Sequence, residues 1–230
     1  MSDHPNAPEP TTLRPGIRTY KPRRSRITRR ERAALAAPGD VLLTMDDTLS
    51  ELPWSQSTQV IMDIGFGAGE STIAMARSDP ESLILAIDVH TPGVGRLIAD
   101  VLAEGVTNVR VLEADALTVL ERCTPREYLA GVCTYFPDPW PKARHHKRRI
   151  VQPAVLALVH SRLSTGGFWR LATDWPDYAD WIVETFAADS GFDGGVIERP
   201  NDRPITHYEE RALREGRPIV DLEFRKVDAG

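Results

Sequence analysis

Cysteine is scarce: the 230 residues hold two, Cys123 and Cys133, in no CxxC pair and with no cluster of histidines beside them. That usage argues against a disulfide framework or a structural zinc site, and both thiols read as ordinary reduced side chains. No apolar run approaches the roughly 18 residues that span a bilayer, and the first residues lack the apolar core of a signal peptide. A membrane or secreted protein is set aside on those grounds, and the expected location is cytoplasmic. No internal repeat is visible. What is present suffices for one generous domain, with 41% hydrophobic and 27% charged residues.

The net charge of −5 is unevenly distributed, since residues 14–32 carry nine Lys or Arg against one acid, Glu31, while residues 33–230 sum to −11. A basic arm thus precedes an acidic body. Such an arm suits phosphate binding, because cations that neutralise phosphates release condensed counterions; a solvated tail is the plainer use of the same residues. The first dozen residues have no hydrophobic periodicity and are expected to be disordered. The division is an arm over 1–32 and a domain over 33–230.

From Gln59 onward, apolar strand-like runs alternate with longer helical patterns, the signature of a parallel sheet covered by helices on both faces. Strands are expected at Val60–Ile64, Leu83–Asp88, Val109–Ala114, Gly131–Phe136 and Phe168–Thr173, with later ones at Val196–Glu198 and Ile219–Lys226. Helices are expected over 31–37, 70–78, 93–104, 116–122, 148–163, 176–188 and after Thr206. There the Thr206-x-x-Glu209 spacing resembles a capping box.

The first long strand runs into Gly65-Phe66-Gly67-Ala68-Gly69, a turn that lets backbone approach a ligand closely. Dinucleotide enzymes use similar glycines, but here the spacing is G-x-G-x-G rather than G-x-G-x-x-G, and Asp63 precedes the first glycine by two residues. A carboxylate there meets the ammonium of an amino-acid cofactor such as S-adenosylmethionine and repels a pyrophosphate, which disfavours an NAD oxidoreductase. Asp88 ends the next strand, where a carboxylate accepts hydrogen bonds from ribose hydroxyls. Asp115 follows the third, between Ala114 and Ala116, which leave room for an adenine ring. A helix N-cap is an equally available role for Asp115 alone, but three acids at three successive strand ends favour a ligand.

The fourth strand delivers Phe136-Pro137-Asp138-Pro139-Trp140-Pro141 to the carboxyl edge of the sheet, followed by a basic run from Lys142 through Arg144, His145, His146, Lys147 and Arg148 to Arg149. Three prolines stiffen the loop around Asp138, and Trp140 suits stacking on a base or walling a pocket. Five cations at a helix start are unfavourable unless an anion is near, and a polyanion provides one. Asp174 with Trp175 follows the fifth strand, and Arg203-Pro204-Ile205-Thr206-His207-Tyr208-Glu209-x-Arg211 precedes the last helix. Singly, these residues also serve as caps or ion pairs.

Together these segments resemble the bacterial tRNA (guanine-N7-)-methyltransferases. The resemblance rests on Asp63-Ile64-Gly65-Phe66-Gly67, Asp88-Val89-His90-x-Pro92-Gly93-Val94-Gly95, Phe136-Pro137-Asp138-Pro139-Trp140, Lys147-Arg148-Arg149, Ala172-Thr173-Asp174-Trp175 and the Arg203 to Arg211 stretch. It implies a Rossmann-like class I methyltransferase fold, α/β with a mainly parallel seven-stranded sheet and an antiparallel C-terminal strand. It further implies that S-adenosylmethionine is bound by Asp63, Asp88, Asp115 and Asp138 about the turn of Gly65, Gly67 and Gly69. Lys142, Asp174 and the segment Thr206, His207, Tyr208 and Glu209 are implied as contacts to guanine, and residues 144–149 as contacts to tRNA. Asp63 and Asp88 stand where the family often has glutamate, which shortens each reach by one methylene at constant charge. The arm shows no match to the family.

Guanine N7 has an in-plane lone pair and no proton, so methyl transfer to it needs positioning more than a general base. Because the methylated ring becomes cationic, Asp138 is cast as orienting the base and stabilising that charge. An enzyme acting on an exocyclic amine of RNA, and a non-catalytic RNA-binding protein on the same fold, remain as rival readings.

Overall fold

The computed structural model describes residues 18–21, 26–47 and 59–227; the expected disorder of the first dozen residues lies outside them. The strands are β1 (Leu42–Leu43), β2 (Val60–Ile64), β3 (Leu83–Asp88), β4 (Val109–Glu113), β5 (Leu129–Tyr135), β6 (Leu163–Thr173), β7 (Phe192–Ile197) and β8 (Val220–Lys226). The helices are α1 (Arg29–Ala36), α2 (Glu70–Ser78), α3 (Thr91–Glu104), α4 (Ala116–Arg122), α5 (Pro153–Arg162), α6 (Pro176–Ala187) and α7 (His207–Arg214). One sheet orders the strands β1-β4-β3-β2-β5-β6-β8-β7. Only β8 runs against its neighbours, β6 and β7. The mainly parallel sheet with an antiparallel C-terminal strand is as expected. It has eight strands rather than seven, because β1, two residues long, is too short to show any periodicity.

Strands buried on both faces carry near-continuous apolar runs, and alternate residues feed opposite cores. Val60, Met62, Ile64, Leu83, Leu85 and Ile87 join the core under α4, α5 and α6. Ile84, Ala86, Val109 and Val111 face α2 and α3. The strand order turns back at β2, whose neighbours are β3 on one side and β5 on the other. Ligands of open α/β sheets sit at such a switch point, beyond the carboxyl ends of the strands.

Several boundaries depart from expectation. β5 starts at Leu129 rather than Gly131, and β7 spans Phe192–Ile197 rather than Val196–Glu198; three others have plain physical reasons. The helix expected over 148–163 begins only at Pro153, because proline lacks the amide for an interior position and pushes Gln152 to an extended conformation (φ −143°, ψ 152°); residues 143–148 form a 3-10 turn instead. β6 starts five residues early, at Leu163, which pairs with Leu129 ahead of a register shift. The first helix starts at Arg29, inside the expected arm, held by a reciprocal capping box between Thr28 and Glu31. Its Arg30 pairs with Asp100 on α3 at 2.6 Å. Among the described residues no helix is long and apolar enough to cross a membrane.

Candidate active site

Asp63, next to last in β2, is 1% exposed. The Thr72 hydroxyl of α2 donates to its Oδ2 at 2.6 Å, and among the described residues no cation pairs with it. Burial pushes its carboxyl from 3.8 up to about 7, against the Thr72 hydrogen bond and with a further push from Asp88. A second carboxylate therefore sits within electrostatic reach, and among the described residues no cation forms an ion pair with either.

The turn after β2 takes left-handed φ at Gly65, Gly67 and Gly69 (74°, 60° and 83°). At Gly67 the amide donates to Asp88 Oδ2 at 3.1 Å, and the His90 amide donates to Asp88 Oδ1 at 2.9 Å. A Cβ at Gly65 or Gly67 would meet nothing within 4 Å, whereas one at Gly93 would come within 2.5 Å of the Gly67 carbonyl. The turn is thus pressed against the first turn of α3 on one side and open on the other, the shape of a cradle for a ligand. Asp115 caps α4, accepting from the Thr118 amide at 3.0 Å and the Thr118 hydroxyl at 3.2 Å through Oδ1. It also lines a cleft of about 580 Å³ with Met45, Ala114 and Thr118. The cap and a ligand contact are compatible roles, because Oδ2 faces no partner among the described residues.

The loop after β5 is strained on both sides of Asp138. Phe136 and Trp140 adopt φ of 53° and 45°, a region costly for side chains larger than glycine, by about 1–3 kcal/mol each. Surrounding contacts hold them there: the Phe136 amide donates to the Ala172 carbonyl at 2.8 Å. Trp140 is 4% exposed, with the Arg148 guanidinium 3.6 Å over its ring.

The arm reaches this loop. The Lys21 amide donates to Asp138 Oδ2 at 2.8 Å, and the Lys21 ammonium lies 3.6 Å from Oδ1. The Trp140 indole donates to the Thr19 carbonyl at 3.0 Å, and Arg148 donates to the carbonyls of Arg18 and Tyr20 at 2.9 and 3.1 Å. Arg148, expected to face RNA, is therefore engaged by the chain's own backbone.

The remaining basic residues divide. Lys142, Arg144 and Lys147 are exposed. His145 meets Trp140 edge-on with centroids 5.9 Å apart, and His146 meets Trp181 at 5.8 Å. Arg149, also expected on the RNA surface, is instead 1% exposed. It donates to the Pro139 carbonyl at 3.0 Å, pairs with Asp177 and lies over the rings of Tyr178 and Trp181. A guanidinium packed between two aromatic rings buttresses the loop from behind rather than reaching solvent.

Asp174, immediately after β6, is 3% exposed and pairs with Arg217. Thr206 caps α7 by accepting from the Glu209 amide at 3.3 Å. The second half of the expected capping box is absent, because the Glu209 carboxylate turns to Arg199 and Arg203. The His207 amide donates to Glu70 Oε2 at 3.0 Å, and the Tyr208 ring lies 5.2 Å from that of Phe136. The start of α7 is thereby tied to helix α2 and to the Asp138 loop. Thr72 and Arg217 escaped the sequence reading, while Lys21 figured only as one cation of the basic arm and Arg203 only within a motif; folding alone shows what each of the four touches.

A family described as a putative methyltransferase matches residues 57–222. A protein of Streptomyces avermitilis named tRNA (guanine-N(7)-)-methyltransferase is 42% identical over 220 residues, covering 92% of this chain and 76% of that protein. A Nocardioides protein of the same name is 40% identical, covering 93% and 88%. The chain belongs to the tRNA (guanine-N7-)-methyltransferase family. Among solved structures, the 16S rRNA methyltransferase KamB superposes with a TM-score of 0.56 at 21% identity, covering 75% of this chain and 90% of that one. The [4+2]-cyclase SpnF does so at 0.53 and 15% identity, covering 75% and 76%. The fold is thus a class I methyltransferase fold, and the pairing of these two neighbours shows that the fold alone does not dictate the reaction.

Proposed function

We propose that this chain transfers the methyl group of S-adenosylmethionine to N7 of a variable-loop guanine in tRNA. The supporting observation is its membership of a family whose relatives, matched over more than nine-tenths of this chain, are named for that reaction. The site chemistry agrees. Asp63, buried and without a cation, suits the ammonium of the cofactor, whose arrival would restore its ionised form. Asp88, beside the open glycine turn, suits accepting from the ribose hydroxyls, and the cleft bordered by Asp115 and Ala114 suits the adenine. When bound, S-adenosylmethionine supplies an electrophilic methyl group on a sulfonium.

The chain's own part is positioning. Asp138 orients the guanine and stabilises the positive charge that grows on its ring, the reverse in sign of an oxyanion hole. Lys21 holds that carboxylate in the free protein, and its ammonium must move off as the base becomes cationic. Lys142, Asp174, Thr206, His207 and Tyr208 bound the guanine side. Exposed Arg144 and Lys147, with the basic arm over residues 14–32, take the phosphates.

Purified protein incubated with unmodified tRNA transcripts and labelled S-adenosylmethionine, followed by aniline cleavage, tests the reading. Scission at one variable-loop guanine is the expected result. Methyl incorporation without scission points to an exocyclic amine, and RNA binding without incorporation to a non-catalytic protein.

A further inference from the structure

Glu209 is, with Asp174, one of two acids expected to touch guanine, yet its side chain is fully buried. Four guanidinium N–H groups converge on it: Arg199 Nη1 and Nη2 at 2.5 and 2.9 Å, and Arg203 Nη1 and Nη2 at 2.7 and 3.3 Å. A carboxylate offers about four lone-pair sites, so none is left for the N1–H or amino group of a base. Burial alone would raise its pKa; the hydrogen bonds from Arg199 and Arg203 instead hold the carboxyl below its usual range.

Arg203, 3% exposed, turns its other edge to Asp221 of β8, at 2.7 Å from Nε and 2.8 Å from Nη2. Asp221 is in register with Ala172, two residues before Asp174. The same guanidinium lies 5.5 and 5.6 Å from the ring centroids of Tyr135 and Phe136, where the Asp138 loop begins. One forked side chain therefore joins the β6 and β8 edge, the root of the Asp138 loop and the first turn of α7.

We propose that Glu209 is a positioning residue rather than a guanine contact, acting through Arg203 and Arg199 to hold Thr206, His207 and Tyr208 over the substrate side. Freeing its carboxylate for a base would strand the buried Arg203 guanidinium, so the pairing persists with substrate bound. Lysine at position 203 cannot replace the fork, because an ammonium is a point charge that does not bridge two carboxylates in a fixed plane. The proposal deepens the reading of the chain as a tRNA methyltransferase and rests on it for its kinetic arm only.

The experiment uses full-length wild type, Arg203→Lys, Glu209→Gln and the double variant. It reads single-turnover methyl transfer to tRNA, S-adenosylmethionine affinity, and hydrogen exchange over residues 199–214. Each single variant is expected to slow transfer about 10- to 100-fold with cofactor affinity within about threefold, and to speed exchange over 199–214 while leaving α2 and α3 unchanged. The double variant should lose no more than the worse single one, since both break one unit. Transfer near wild type in Arg203→Lys beside a large loss in Glu209→Gln, or losses that multiply, would mean direct contact with the base and overturn the proposal. Should Arg203→Lys fail to fold, Arg199→Lys, altering the more exposed partner, must show the same split on a smaller scale, and its absence overturns the proposal equally. If wild type transfers no methyl group to tRNA, the functional reading fails by itself; unchanged exchange in the variants would then reject the positioning network separately.

Discussion

Replacing Asp63 with asparagine keeps the side-chain shape and an acceptor for the Thr72 hydroxyl, but removes the group that burial holds near neutrality. An unfolded aspartate titrates at 3.8 and this one at about 7. Between those values the native state binds more protons than the unfolded state, so the contribution of Asp63 to stability is full below 3.8 and is lost as pH rises to about 7. Above that the cost of keeping the carboxylate buried reaches a ceiling of roughly 4 kcal/mol. Asparagine has its own desolvation cost of about 1–3 kcal/mol, leaving a net gain of about 1–3 kcal/mol at pH 8. At about 2–4 °C per kcal/mol, that raises the melting temperature of the cofactor-free protein by roughly 2–12 °C. The gain should shrink as pH falls towards 4. The same change removes the carboxylate proposed to meet the cofactor ammonium, a charged hydrogen bond of about 1.5–3 kcal/mol, so affinity for S-adenosylmethionine should fall about 10- to 150-fold. Thermal melts at pH 8, 6 and 4.5, with calorimetric titration of S-adenosylmethionine at pH 8, read both effects. A variant less stable than wild type at pH 8, or a difference indifferent to pH, would refute the account of Asp63 as a buried carboxylate awaiting a cation.

Asp138→Ala is expected to lower the methyl-transfer rate far more than cofactor affinity; strong loss of cofactor binding with single-turnover transfer intact would contradict its role at the base. Changing Arg144 and Lys147 together to glutamine should weaken tRNA binding evenly across tRNA sequences and flatten the slope of log affinity against log salt by about 1.5 to 2, measured by filter binding. Arg149→Gln should act differently, lowering stability by about 1–3 kcal/mol in urea melts through lost packing against Tyr178 and Trp181, with an unchanged salt slope.

The alternation of β2 through β6 with α2 through α6 was legible because strand and helix periods are local properties of the chain, and Val60–Ile64, Leu83–Asp88 and the helices over 70–78 and 116–122 fall at the expected residues. Among the boundaries missed, three were set by something other than period: Pro153, the two-residue β1, and the early start of β6, which depends on pairing with Leu129. The acids at strand ends were equally legible, since a glycine turn and a carboxylate at the carboxyl end of a parallel strand lie within a few residues of each other.

Sequence by itself determined the doubly wound sheet, the glycine turn, the acids at its edge and the stiff proline loop, because each is written in neighbouring residues. Only the tertiary structure decided which charges are free. Arg148 and Arg149 stand side by side, but one is engaged by the arm 128–130 residues away and the other is buried against α6. Glu209 looks like half of a capping box until Arg203 claims it on behalf of Asp221. A charged side chain takes the partner that best repays its desolvation, and that partner is found by the fold across the sheet, not along the chain.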